Sequence, residues 1–324
     1  MTPLLEVRNL HTHFFTREGV VKAVNGVSFS LQPGQTLGLV GESGSGKTVT
    51  ALSILRLVPF PGRIVQGAVV YRGRNLLEAS EDELRHLRGR EIAMVFQNPH
   101  SALNPVLPVG VQVEEVLQAH TRMPRKEVQR RVRDLMYQMG LPDPERVAVQ
   151  YPFQLSGGMA QRVMLAMALC LEPKVLIADE PTSNLDVTLQ ADILQRLRTL
   201  QKERGTAILL ITHDMGVVAR VAHWVAVMYA GTIVEHGPII PLFQRPVHPY
   251  TWGLFQALPR LDKPDQALRP LRGTPPNLVD LPDQCPFIPR CSKAIAVCRT
   301  NPRPPLQEVE GGHWAACYNH MRYE

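Results

Sequence analysis

Short runs of apolar residues recur along the first 240 positions, each followed by small or polar residues and a stretch with helical spacing. Leu37-Gly38-Leu39-Val40, Ile92-Ala93-Met94-Val95-Phe96, Val175-Leu176-Ile177-Ala178 and Ala207-Ile208-Leu209-Leu210-Ile211 are apolar throughout. A strand with one wet face alternates apolar and polar residues, whereas a strand without a polar face is covered on both sides. These runs therefore predict strands of a mostly parallel sheet. Lys47 to Leu57 and Leu189 to Glu203 space their apolar residues as helices, which a parallel sheet needs as crossovers. Residues 98–165 carry helical spacing without strand-like runs and are expected to form a helical insert. The fold class is α/β.

The pattern changes near residue 240. Residues 238–324 hold 15 of the 28 prolines and four of the five cysteines. Proline fixes φ and lacks an amide donor, so such a stretch does not sustain long helices or central strands. We therefore divide the chain into a domain at 1–240 and an irregular extension at 241–324.

Composition narrows the choice of partners. With 324 residues and 44% apolar content, the chain can bury one large core and still carry an appendage. The net charge of +6 is mild, and Arg125-Lys126 and Arg130-Arg131-Val132-Arg133 have the look of a solvated helix face rather than a polyanion-binding block. No apolar run approaches the roughly 20 residues of a membrane span. Met1 to Glu6 has neither the length nor the apolarity of a signal peptide, so a cytosolic location is expected. Cysteines there stay reduced. Cys285, Cys291, Cys298 and Cys317, with 5, 6 and 18 residues between them, are then candidate ligands for zinc or an iron–sulfur cluster, although the short knuckles usual for zinc are absent. Cys170, inside the apolar stretch Val163 to Leu171, reads as a core residue.

The chemistry concentrates at two phosphate-binding patterns. Gly41-Glu42-Ser43-Gly44-Ser45-Gly46-Lys47-Thr48 fits Gly-x-x-x-x-Gly-Lys-[Ser/Thr] between a predicted strand and helix. Its small residues let successive amides turn inward onto phosphate, the helix dipole adds positive potential, Lys47 neutralises the β- and γ-phosphates, and Thr48 offers its hydroxyl to Mg²⁺. Leu155-Ser156-Gly157-Gly158-Met159 is a second such piece, a hydroxyl and two glycine amides at a helix start. Two pieces on one chain suggest that each nucleotide is held between paired subunits. The strand Val175–Ala178 leads into Asp179 and Glu180, a Mg²⁺-holding carboxylate and a base for the attacking water. His213, after the next strand, is placed for the γ-phosphate. Gln97 is placed to offer a carbonyl to Mg²⁺ and report nucleotide state to the helical insert.

In this order, the loop 41–48, Gln97, Leu155–Met159, Val175–Glu180, Ser183-Asn184-Leu185-Asp186 and His213 resemble the Walker A, Q-loop, signature, Walker B, D-loop and H-loop of ABC transporter ATP-binding subunits. The resemblance implies a P-loop ATPase core with a mostly parallel sheet, a small antiparallel β-subdomain and a helical subdomain at about 98–165. It also implies ATP and Mg²⁺ as ligands and a head-to-tail dimer in which Ser156, Gly157 and Gly158 act on ATP held by the partner subunit. An aromatic residue stacks on adenine in this family, here Phe14, with Phe15 as the alternative. Asn184 and Met159 depart from the commoner Ala and Gln without removing a catalytic group.

His248-Pro249-Tyr250-Thr251, Leu271-Arg272-Gly273-Thr274-Pro275-Pro276 and Cys285-Pro286-Phe287-Ile288-Pro289-Arg290-Cys291 resemble the C-terminal extension of oligopeptide and dipeptide importer ATPases. That branch implies a second, non-identical ATPase subunit, two permease subunits and an extracytoplasmic binding protein, at the cytoplasmic face of the membrane. It also implies a 4Fe–4S cluster on the four cysteines in preference to zinc. Import of nickel chelates or glutathione is the alternative cargo. A soluble ABC-type ATPase acting on nucleic acid or ribosomes is the alternative class, and no nucleic-acid partner is expected on the leading one.

Overall fold

The computed structural model describes residues 2–183, 185–257 and 270–323; Asn184 of the predicted D-loop lies outside them. The chain folds into two compact units, each discontinuous in sequence. Residues 1–5, 31–36 and 78–212 form the first, and residues 6–30, 37–77 and 213–324 form the second. The extension belongs to the same unit as the phosphate loop.

In the first unit, Ile92–Val95, Val175–Asp179 and Ala207–Thr212 run parallel, with Ile92 opposite Val175 and Val175 opposite Ala207. Leu176, Ile177 and Ala178 are fully buried, as are Leu209 and Leu210, which is why these segments lack a polar face. Around this sheet lie the helices Val109–His120, Arg125–Gln138, Gly157–Leu169 and Val187–Arg204. Arg125–Gln138 turns Val128, Val132, Leu135 and Met136 inward and leaves Arg125, Arg130 and Arg133 exposed, whereas the half-buried Arg131 departs from the expected solvated face and donates to Cys170 O and Glu172 Oε1. Cys170 is fully buried at the end of its helix, and burial pushes its thiol up to about 12. Val187–Arg204 opens on Asp186, whose Oδ1 accepts from Thr188 N and Leu189 N, and it ends on the left-handed Gly205.

The second unit holds two sheets. One has strand order Gly19–Leu31, Leu5–Thr16, Gly62–Tyr71 and Arg74–Asn75, the last two antiparallel. The other joins Thr36–Val40, parallel, to Trp224–Tyr229, which continues antiparallel through Thr232–Pro238 to His313–Ala315 and Gln307–Glu310. The extension is thus more regular than its proline content suggests. Its last proline is Pro305. The following residues form a hairpin through Gly311-Gly312, both with positive φ, which extends the sheet by two strands. Pro249–Gln256 is a helix because its proline sits in the first turn, where no intrahelical donor is needed.

The core of this unit gathers Val40, Val218, Val225, Val227, Tyr229, Leu242, Tyr250 and Phe287, with Cys285 and Cys291 packed against it. Glu235, also fully buried, ties three segments together. It accepts from Val247 N and His248 N at 2.8 Å each, and its Oε1 lies 2.7 Å from His313 Nε2. Among the described residues, no helix is long and apolar enough to cross a membrane.

Candidate nucleotide site

The phosphate loop leaves the buried strand Thr36–Val40 and enters the helix Lys47–Ile54. Two of its glycines are steric requirements. A Cβ on Gly41 would lie 2.2 Å from Met228 O, and one on Gly46, at φ 102°, would lie 2.2 Å from Ala23 O. The loop is therefore pressed onto two strands, and Gly231 N donates to Ser45 O at 2.9 Å. Lys47 is buried inside the turn, where its Nζ donates to Gly41 O at 2.8 Å and Glu42 O at 2.9 Å and lies 3.4 Å from Ser45 Oγ. Ser43, Gly44 and Thr48 face solvent. The geometry is a cationic turn ringed by small residues at a helix N-terminus, which suits a polyphosphate.

Phe14 lies on the strand Leu5–Thr16, its ring against Gly62, where an added Cβ would sit 2.7 Å from Cε1. Phe15 is half exposed, with the Arg63 guanidinium 5.9 Å from its ring centre. His213 opens the stretch after Thr212 and is exposed. The next residue, Asp214, caps the helix Met215–Val221 by accepting from Gly216 N and Val217 N.

The other predicted residues lie in the first unit. Asp179 ends its strand with 1% exposure. Glu180 follows with φ 47°, a left-handed conformation rare for such a side chain and common at working sites. Glu180 N donates to Ile211 O, and Ser183 donates to Glu180 O from both N and Oγ, so this turn is held firmly. Gln97 is exposed just after the strand Ile92–Val95. Ser156 caps the helix Gly157–Leu169, its Oγ accepting from Met159 N. Gly157 has open space around it, whereas a Cβ on Gly158 would lie 2.7 Å from Leu189 Cδ1. Gln161 Nε2 donates to Pro181 O at 2.8 Å. The signature helix is thus bonded to the turn after Glu180 and packed on the helix that Asp186 starts.

Cys285, Cys291, Cys298 and Cys317 are free thiols that line one pocket of about 20 Å³, shared with Phe287, Ile288 and His248. They converge as the spacing predicts. Even so, among the described residues no group of three or more His, Cys, Asp or Glu is arranged to hold a metal ion. Burial raises the thiols of Cys285 and Cys291 and pushes that of Cys317 up to about 12. Arg290 and Tyr250, neither of which the sequence pattern marks as a nucleotide-site residue, both bond to Glu42 of the phosphate loop.

The ABC transporter family matches residues 24–183, and the oligopeptide/dipeptide transporter C-terminal region matches residues 234–298. The chain is 47% identical to the dipeptide transport ATP-binding protein DppD of Bacillus subtilis, over 92% of this chain and 89% of that protein. It is 46% identical to the oligopeptide transport ATP-binding protein OppD of Salmonella typhimurium, over 97% of this chain and 93% of that protein. Among solved structures, the dimeric ABC transporter cassette MJ0796 aligns with a TM-score of 0.66 at 27% identity, covering 72% of this chain and 98% of that one. On these matches the chain belongs to the ABC transporter ATP-binding subunits, is an ATPase, and carries the C-terminal region of the oligopeptide/dipeptide branch.

Proposed function

We propose that this protein binds and hydrolyses ATP to drive a membrane importer of dipeptides or oligopeptides. The observation that carries the cargo is the C-terminal region, matched over residues 234–298 on the same chain as the ATPase. The relatives named above are dipeptide and oligopeptide transport proteins, which favours this cargo over nickel chelates or glutathione. No observation favours a nucleic-acid or ribosome substrate.

In the proposed mechanism the loop amides of Gly44 to Thr48 and the Lys47 ammonium hold the phosphates. The Thr48 hydroxyl, Gln97 carbonyl and Asp179 carboxylate are oxygen donors of the kind Mg²⁺ takes, and the ion would offset charge on the β- and γ-phosphates. Glu180 accepts a hydrogen bond from the attacking water and turns it toward the γ-phosphorus, while His213 donates to the γ-phosphate. Phe14 stacks on adenine. Ser156 and the amides of Gly157 and Gly158 complete the site of a partner subunit, and Asp186 lies in the crossing loop. That partner is a non-identical relative in our reading.

Two permease subunits dock on Asn98 to Gly110 and its surroundings, where Phe96, Val106 and Val111 are exposed. An extracytoplasmic binding protein delivers the peptide. The ATPase would lie peripherally on the cytoplasmic face. The four cysteines are a soft thiol donor set of the kind a 4Fe–4S cluster takes, and their spacing lacks the short knuckles usual for zinc. The expected result is four irons per chain after anaerobic purification; one bound zinc and no iron would refute it.

The test of the catalytic assignment is Glu180→Gln. Mg·ATP binding should persist, turnover should fall by about 10²-fold or more, and a stable ATP-bound dimer should accumulate on size exclusion. Hydrolysis at the parent rate would rule out Glu180 as the base.

A further inference from the structure

The extension reaches the phosphate loop through Arg290. Ile288–Arg290 form a single 3-10 turn after Phe287. Phe287 is buried against Tyr229 and Tyr250, with ring centres 5.3 and 5.4 Å away. Seated this way, the turn aims Arg290 at Glu42. Arg290 Nη1 donates to Glu42 Oε2 at 2.6 Å and Nη2 to Oε1 at 2.9 Å, a bidentate pair. Nη1 also donates to Tyr229 Oη at 3.3 Å, and Nε donates to Arg272 O at 2.9 Å. The Arg290 side chain is only 4% exposed. Glu42 is gripped from its other end too, since its amide donates to Tyr250 Oη at 2.9 Å while its carbonyl accepts from Lys47.

Glu42 is an awkward residue for a phosphate loop. Its carboxylate repels a polyphosphate anion, and its carbonyl shares the lysine that must meet the phosphates. A fork-shaped cation answers the first problem: it neutralises the carboxylate and fixes the Glu42 side chain in the loop's first turn. We propose that Arg290 is a positioning residue for ATP binding: by gripping Glu42 it holds the first turn of the phosphate loop and removes a negative charge from beside the nucleotide's phosphates. The proposal rests on the loop 41–48 being the ATP site. It makes the extension a working part of the nucleotide site.

The experiment is a titration of the full chain with Mg·ATP, with steady-state hydrolysis on the same samples. Arg290→Ala should weaken Mg·ATP binding about tenfold, the scale of losing a charge-assisted hydrogen-bonded pair. KM should rise accordingly while kcat stays within about twofold, because Arg290 does not touch the reacting atoms. Arg290→Lys should fall in between, since an ammonium replaces the fork with a point charge. In a Glu42→Gln background, where the repulsion is gone, Arg290→Ala should cost less than about threefold. If Arg290→Ala does not fold, Arg290→Lys and its Glu42→Gln counterpart carry the same comparison. Binding within twofold of the parent, equal losses in both backgrounds, or a fall in kcat at unchanged KM would each overturn the proposal. Lys47→Ala separates the two levels. If it binds Mg·ATP normally, the ATP-site reading itself fails; if it does not bind while Arg290→Ala does, only the proposal fails.

Discussion

Buried polar side chains in the second unit do structural work that their types alone do not reveal. Glu235 is fully buried and serves two amides and one imidazole. Glu235→Ala would leave Val247 N, His248 N and His313 without their acceptor, and should destabilise this unit by about 3–5 kcal/mol. The three tryptophans, Trp224, Trp252 and Trp314, all lie in this unit. A urea titration followed by tryptophan fluorescence reads it directly, and a midpoint shift below that size would refute the assignment.

His248 gives a pH dependence. It is 1% exposed, and burial pushes its pKa down to about 3. Its Nδ1 accepts from Tyr250 N, so the folded form holds the ring neutral. The unfolded chain takes up a proton near the ordinary value of about 6.5. The stability from this group is therefore complete above pH 6.5 and is lost as pH falls from there toward 3. The urea midpoint should drop between pH 7.5 and pH 5. His248→Asn keeps an oxygen to cap the helix and cannot titrate, so it should flatten that dependence.

At the scale of elements, the parallel strands were legible almost to the residue. Val175–Asp179 and Ala207–Thr212 differ from their expected bounds by one position, because total burial leaves an unbroken apolar run. The first helix ends earlier than its spacing implies, at Ile54, since Arg56 turns to positive φ. The hairpin Gln307–Ala315 was not anticipated, though the Gly-Gly pair between short alternating segments was a local signal for it. Its docking on Thr232–Pro238 was not legible, because pairing Glu235 with Ala315 joins segments about eighty positions apart, and nothing local encodes that.

The same limit hid Arg290. Its sequence neighbours are the cysteines of the extension, and its partner Glu42 lies 248 positions away. The signature helix offers a prediction at this scale. Ser156→Ala removes one cap bond and should cost about 1 kcal/mol of stability. If Ser156 also completes a partner's nucleotide site, ATPase activity of the assembled transporter should fall by far more than that loss explains. Activity in proportion to stability would leave Ser156 as a cap alone.

At the scale of the whole chain, the division at residue 240 followed composition, while the units follow contacts that composition does not carry. Proline content correctly foretold short elements in the extension but not where they pack. Both units are assembled from separated segments, so neither coincides with a continuous stretch of sequence. The four-thiol pocket belongs to this scale too. Cys285 and Cys291 pack on the same core as Tyr229 and Tyr250, so whatever occupies or oxidises those thiols acts on a shared framework.

The grip of Arg290 on Glu42 also sets an order in time. Chains emerge from the ribosome N-terminus first, and the phosphate loop is made long before the arginine that steadies it. A ribosome-bound chain that stops short of residue 290 would carry every residue of the loop motif and yet hold nucleotide poorly. Competence to bind ATP would then arrive late, as a mark that synthesis has passed the extension. Half-made subunits would hold nucleotide about tenfold less tightly than finished ones.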